Sequence, residues 1–408
     1  MNPSQSTSKD NWKKVKFSDI AEEIKEVIDK PSKSGLDRFV GGDHLDSGDL
    51  HIKRWGSTND VNAQKLLFKK GHILFGKRNA YLRKVAYADF DGVCSAHMMV
   101  LKPRTENIEE SFFPHFMQTD QFWDRALMIS EGSMSPTIKW KILAEQEFFI
   151  PPKEEQRRIA TTLWAAEDCI VKGERFVAVA ERVKQVMMGE LFSKGIGHTK
   201  FKEVKWIGKT PSEWEIAKMK DFSEVIRGAS PRPKGDPRYY SGSVPRLLGE
   251  DVTRDGMWVT ARIDSLTEEG AQLSRLLRKG DLVIICSGTK ESVGLPGILA
   301  EDTCIHDGFL ALKDINEKIV DKFYLFYWLS DHQKMMEQLA THGCSFVNLT
   351  TQILRETPIP LPPLPEQRQI AGILTCCDET IAAARANAGA TKALKMKMIN
   401  EMLSPENG

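Results

Sequence analysis

One eleven-residue motif occurs twice, and its spacing limits what this chain can fold into. Ile150-Pro151-Pro152-Lys153-Glu154-Glu155-Gln156-Arg157-Arg158-Ile159-Ala160 aligns without a gap on Leu361-Pro362-Pro363-Leu364-Pro365-Glu366-Gln367-Arg368-Gln369-Ile370-Ala371; Gln156 and Gln367 lie 211 positions apart. The same shift pairs Gly132 with Gly343, Ile142-Leu143 with Ile353-Leu354, and Leu163 with Leu374. At a slightly shorter shift Trp12, Asp19 and Ile24 match Trp214, Asp221 and Ile226. Lys70-Gly71 and Lys279-Gly280 each precede an apolar run. A period this long is not a solenoid repeat, whose units run about 20–50 residues. It is one domain architecture used twice, with divergent sequence between the matched islands.

Each motif opens a long helix. Proline suits the first helical turn, and glutamate is favoured at a helix N-terminus, where the backbone dipole is positive. Behind the first motif Ile159, Leu163, Ala166, Ile170, Gly173, Val177, Ala180, Met187 and Leu191 keep a heptad seam; behind the second, Ile370, Leu374, Cys377, Ile381, Ala384, Ala388, Thr391, Met398 and Met402 do the same. Both seams carry lysine at the equivalent slot, Lys184 and Lys395, where it weakens packing and can set register. The packing residues are taken as Ile159, Leu163, Ile170, Val177, Ile370, Leu374, Ile381 and Met398. Each helix is about 35–40 residues, or about 55 Å. The many alanines of 382–390 suit close helix–helix approach. Because the second globular part starts where the first helix ends, a pseudo-twofold pair must be antiparallel. The alternative is two separate amphipathic helices, each on its own domain.

The expected fold class is α+β: two similar mixed α/β recognition domains joined by two long antiparallel helices in a coiled coil. Boundaries follow as a polar tail (1–10), a first domain (11–150), a helix (151–193), a Gly- and Lys-rich linker (194–209), a second domain (210–360), a helix (361–403) and a tail (404–408). Residues 72–75 and 282–285 read as buried strands, and 112–127 and 320–339 as helices.

Catalytic chemistry is missing. Gly71 to Lys77 opens like a phosphate-binding loop, but Arg78 stands where Ser or Thr should hold Mg²⁺, and 72–75 is an apolar run. The two Pro-Pro pairs lack the Asp or Asn and the aromatic that hold a flipped base for methylation. The nine histidines show no metal-ligand spacing, and no nucleophile elbow occurs, so neither catalytic nor metal residues are expected. Seven cysteines without a C-x-x-C pair argue against a disulfide framework. The polar N-terminus lacks the apolar stretch of a signal peptide and no run is long enough to span a membrane, so cytoplasmic residence is expected. The formal net charge is only +1, so any nucleic-acid face must be a local basic cluster.

The tandem Pro-Pro-x-x-Glu-Gln-x-x-Ile elements, each followed by a long helix, resemble the specificity subunit of type I restriction-modification systems. Gly228-Ala229-Ser230-Pro231-Arg232-Pro233 with Tyr239-Tyr240 and Val244-Pro245, and Arg38-Phe39-Val40-Gly41-Gly42 with Leu50, are similar to the openings of that family's recognition domains. The first motif departs by lacking the second Leu-Pro. The resemblance covers nearly the whole chain. It implies a non-catalytic subunit in which each recognition domain reads one half of a split double-stranded DNA target. The helices would set the unread gap and dock two methyltransferase subunits, with motor-nuclease subunits completing the complex. No cofactor is expected on this chain; S-adenosylmethionine, ATP and Mg²⁺ would sit on partners. A free-standing sequence-specific DNA-binding protein or regulator is the rival reading.

Base readout needs Arg, Lys, Asn or Gln at the major groove, and phosphates are held by cations and hydroxyls. In the first domain the candidates are Lys77, Arg78, Asn79, Tyr81, Arg83 and Lys84, just after a predicted strand, with Ser133, Ser135 and Thr137 near the repeated glycine. In the second they are Arg232, Lys234, Arg238, Arg246 and Lys290, with Ser345 and Asn348.

Overall fold

A computed structural model describes residues 11–342 and 347–403. Gly343, Cys344 and Ser345 and both tails lie outside the described residues. The chain divides into two compact units: one holds residues up to Arg175 together with those from Ala384 onward, the other Phe176–Ala383. Among the described residues, no helix is long and apolar enough to cross a membrane.

The first unit carries a four-stranded antiparallel sheet in the order Ala21–Ile24, Met99–Pro103, Ile73–Phe75, Val85–Tyr87. The second repeats that order with Glu224–Arg227, Phe309–Lys313, Leu282–Ile285 and Pro296–Leu299, and adds Trp258–Val259 at the edge. A strand at each domain's start, Lys13–Lys16 or Glu215–Lys218, pairs antiparallel with the one leading into the motif, Glu147–Ile150 or Pro358–Leu361. The runs read as buried strands are so: Ile73–Phe75 and Leu282–Ile285 are almost wholly inaccessible.

The motif's glutamine explains why it occurs twice. Gln156 is buried; its amide nitrogen donates to Pro151 O (2.8 Å) and its oxygen accepts from Glu109 N (2.8 Å). Gln367 does the same with Pro362 O (2.8 Å) and Asp321 N (2.7 Å). One side chain thus satisfies two backbone groups that burial would otherwise strand, joining the helix start to a loop of its own domain.

The first long helix runs Lys153–Lys194 and the second Leu364–Leu403. Each unit contains the start of one and the end of the other. In the first unit Ile159, Ala160 and Leu163 share a core with Ile399 and Leu403 of the second helix. In the second unit Ile370, Ala371 and Leu374 share a core with Met188 and Phe192 of the first. The pairing is antiparallel within each unit. Gly173 faces Ala388, where a Cβ on the glycine would come within 3.3 Å, and seven residues further along the second helix Lys395 pairs with Glu167. In the other unit Lys184 pairs with Asp378 (2.5 Å), and Ile196 N meets Glu366 (2.9 Å).

The seam drifts from a strict heptad. Ile159, Leu163, Ile170, Ile370, Leu374 and Ile381 are buried as expected, but Val177 and Met398 are only half-buried. Met188 and Ile399, each one residue past the expected Met187 and Met398, take the core positions. A straight helix falls behind a seven-residue repeat by about 20° per heptad, so four heptads move the buried face by nearly one residue.

Two helices expected as single elements are broken. The 112–127 segment forms Phe113–Phe116 and Asp120–Met128, because the Thr119 hydroxyl caps the second by accepting from Phe122 N (3.1 Å). The 320–339 segment forms Lys322–Asp331 and Gln333–Leu339, parted at His332, whose ring stacks on Trp328 at 4.3 Å. The stretch 194–209, expected as a linker, contains most of a hairpin, Phe201–Val204 with Gly208–Pro211. Trp206 and Gly208 adopt the positive φ that its tight turn requires.

The lysine pairs set the register. Lys395 and Glu167 are both buried, and Lys395 Nζ also donates to Gln118 Oε1 (2.9 Å). Glu167→Ala is expected to cost about 3–5 kcal/mol by stranding the lysine charge, whereas a Glu167→Met, Lys395→Met double variant should recover most of that loss. Urea unfolding of the three proteins measures both. Burial, and then the nearby Lys395, push the His115 imidazole down to about 3 from an ordinary 6.5. Folding therefore keeps His115 neutral while the unfolded chain takes up a proton below pH 6.5. Its contribution is present above that value and declines as pH falls from 6.5 to about 3. Urea midpoints at pH 7 and 5 should show a smaller acid loss in His115→Leu.

Candidate nucleic-acid interface

In the first unit the strand Ile73–Phe75 ends in the predicted basic loop, and a second loop is laced against it. Asn79 N donates to Pro136 O (2.8 Å), Ile138 N to Lys77 O (2.8 Å), and Arg78 Nη2 to Ser135 Oγ (2.9 Å). Arg78 also bridges Thr137 through the backbone. The loops 77–84 and 131–138 thus form one surface that brings Lys77, Arg78 and Asn79 beside the segment carrying Ser133. Asn79 and Arg83 both have positive φ, which a non-glycine residue adopts only when its surroundings hold it. Arg83 is held: Nη1 pairs with Asp120 (2.6 Å), which also accepts from Asn400 (2.7 Å). Lys84 Nζ donates to Gly42 O (2.6 Å) and fastens the segment 38–42. Arg83 and Lys84 therefore shape the loop. Arg78, Tyr81 and Ser133 present their side chains to solvent, and Met134 stands 95% exposed at the tip.

The second unit uses the same plan. Ser287–Gly288, following the strand Leu282–Ile285, pairs antiparallel with Val347–Asn348. This sets Asn348 beside the loop of Lys290, whose side chain is exposed and whose carbonyl accepts from Gln333 (3.1 Å). Asn348 lies 211 positions after Thr137, so the repeat extends to the pairing of these loops.

A second basic element lies nearby. Arg232, Lys234 and Arg246 line one cavity of about 300 Å³ with Ser230, Tyr240, Leu248, Asp264, His306 and Asp307. Gly228 makes its wall possible, because a Cβ there would sit 2.0 Å from His306 O. The cations differ in availability. Arg246 is buried, ion-paired to Asp264 and bonded to Ser230 Oγ (3.0 Å). Arg238 is exposed but chelates its neighbour Asp236 (2.8 Å) and does not line the cavity. Arg232 is 71% exposed and only loosely paired with Asp307 at 3.7 Å. Burial and the nearby Arg246 lower the His306 pKa, so its ring is neutral at pH 7. The Ser230 hydroxyl, donating to Asp307 Oδ1 (2.5 Å), lowers the Asp307 pKa and keeps it ionised.

Sequence reasoning passed over Arg227, Asp264 and Asp307. Arg227 Nε donates to Asp307 O (2.8 Å), and its Nη2 reaches Asn348 Oδ1 at 3.5 Å. The only available signal was His306-Asp307-Gly308, a polar turn between two apolar runs. Acidic residues are discounted when a DNA face is sought.

If Lys77, Arg78 and Lys290 contact phosphates, each alanine variant should weaken binding to all duplexes alike and flatten the salt slope by about one. Arg246→Ala should instead lower thermal stability, because it leaves Asp264 without its partner. Anisotropy titrations over a salt series, with a melting curve for each variant, separate the two outcomes.

A family model described as "Type I restriction modification DNA specificity domain" matches residues 9–174 and again 211–388. The chain is 26% identical to the putative type I restriction enzyme MjaX specificity subunit of Methanocaldococcus jannaschii, over 97% of this chain and 96% of that one. Two solved structures share the fold. One, from work on complex assembly and conformational transition of the type I R-M system, has a TM-score of 0.60 at 21% identity, covering 98% of this chain and 99% of that chain. The other, the S subunit of the type I restriction-modification system from M. genitalium, has a TM-score of 0.58 at 15% identity, with both chains fully covered.

Proposed function

This chain belongs to the type I restriction-modification DNA specificity family, and on that premise we propose how it does its work. Each recognition domain reads one half of a bipartite double-stranded DNA target. The helix pair sets the unread gap and docks two methyltransferase subunits, and motor-nuclease subunits join to make the restricting complex. This chain carries no catalytic step. S-adenosylmethionine belongs to the methylating subunits, and ATP and Mg²⁺ to the motor-nuclease subunits.

The observation that carries the two-reader proposal is the repeated loop pairing. In each unit a buried strand delivers one loop, and the segment before the motif supplies a second that is laced to it. The framework repeats, at a shift of 211 residues around the motif and slightly less upstream, while the intervening side chains diverge. Equal scaffolds with unequal tips suit two readers of different sequences, because framework contacts position and tip side chains specify.

Docking is supported by the first long helix. Phe176, Val179, Val183 and Val186 recur at steps of three and four residues, and each is about half exposed or more. A helix face so apolar suits burial against another protein better than contact with water.

A domain exchange tests this. Replacing 210–360 with the corresponding region of a related chain should change one half of the methylated motif and leave the other half and the gap as they were. Sequencing modified bases genome-wide, with and without each hybrid, measures it. A swap that alters both halves together would refute independent reading.

A further inference from the structure

Around the cavity of the second unit the polar side chains form a continuous ladder. Asn348 Oδ1 lies 3.5 Å from Arg227 Nη2, and Arg227 Nε donates to Asp307 O (2.8 Å). Ser230 Oγ donates to Asp307 Oδ1 (2.5 Å) and accepts from Arg246 Nη2 (3.0 Å), while Arg246 Nη1 is tied to Asp264. The buried end, Arg246 with Asp264, is closed on itself. The middle is open: the Asp307 side chain is 52% exposed, with Arg232 only loosely beside Oδ2.

A carboxylate here calls for a reason. It shares a cavity wall with Arg232 and Lys234 and is linked through Arg227 to Asn348, among the residues best suited to face DNA. An ionised carboxylate repels phosphates, which lowers affinity for every sequence. It is compatible with a DNA-facing surface where it accepts a hydrogen bond from a base amino group, an interaction that an anionic acceptor can make and a cation cannot. The ladder positions Asp307 for that task. Ser230 occupies one oxygen and fixes the rotamer, while Arg227 fixes the backbone from the opposite side.

We propose that Asp307 is a specificity-determining residue of the second recognition domain, its Oδ2 accepting a hydrogen bond from the exocyclic amino group of a cytosine or adenine in the major groove. Ser230, Arg227 and Arg246 are positioning residues for it. The proposal rests on the reading of this chain as a two-domain DNA reader and adds which side chain reads.

The test uses the assembled methylating complex carrying either the unmodified chain or Asp307→Asn. Methylation is measured on duplexes varied at each position of the second half-site. Asp307→Asn turns one acceptor into a donor, so discrimination should fall roughly 5- to 150-fold at a single position, the range of one base contact. The other positions, the other half-site and the gap should be unchanged. Deleting the amino group at that position, with 2-pyrimidinone for cytosine or purine for adenine, should cost the unmodified complex a similar factor and the Asp307→Asn complex little. Should Asp307→Asn fail to assemble, Ser230→Ala, which loosens the carboxylate without removing it, should weaken discrimination at one position only. An unaltered motif in the variant that assembles, or a loss spread evenly over the half-site, would overturn the proposal while leaving the two-reader function standing. An unmodified complex that marks no split motif would overturn both.

Discussion

Two lysine–carboxylate pairs between the long helices are the constraint on which the rest of the molecule depends. Lys395 meets Glu167 in one unit and Lys184 meets Asp378 in the other. The two lysines occupy the same slot of the repeat, and so do the two acids. Each pair also has a third polar partner, though not an equivalent one: Gln118 bonds Lys395, and the Tyr327 hydroxyl donates to Asp378 (2.8 Å). A buried pair adds little net stability over a well-packed apolar contact, but an arrangement that separates its members leaves a charge without a partner at several kcal/mol. Helices with apolar and small residues along their seams could slide at modest cost. The pairs remove that freedom and so define which end of each helix enters which core.

That arrangement gives each unit a floor made of two helix segments from distant parts of the chain, and the sheet above it carries the reading loops. The basic residues then divide by what holds them. Arg83, Lys84 and Arg246 are engaged by Asp120, the Gly42 carbonyl and Asp264 and act on the protein itself. Arg78, Arg232 and Lys290 reach solvent. Since phosphate contacts position and base contacts specify, a chain of near-zero net charge can bind DNA only through such local groups, with acids such as Asp307 placed where they discriminate.

The amino-acid sequence by itself determined the duplication, the two helices, their antiparallel sense and the buried strands of the framework. Those features are periodic, and periodicity survives in one dimension: equal motifs at equal spacing need equal local structure. It also pointed to loops for Lys77, Arg78, Asn79, Arg232 and Lys290, because a cation after an apolar strand ends near the rim of a sheet, and those residues do lie in loops. Only the tertiary structure decided the rest. The slow slip of a straight helix against a seven-residue repeat moved core positions from Met187 and Met398 to Met188 and Ile399. A threonine cap and a stacked histidine broke two helices that hydrophobic pattern alone reads as single. Which arginine is bound to the protein and which is open to a ligand depends on carboxylates distant in sequence, as with Arg83 and Asp120, 37 residues apart. Such partnerships leave no periodic trace, so the ladder from Asn348 through Arg227 and Asp307 to Arg246 exists only once the chain has folded.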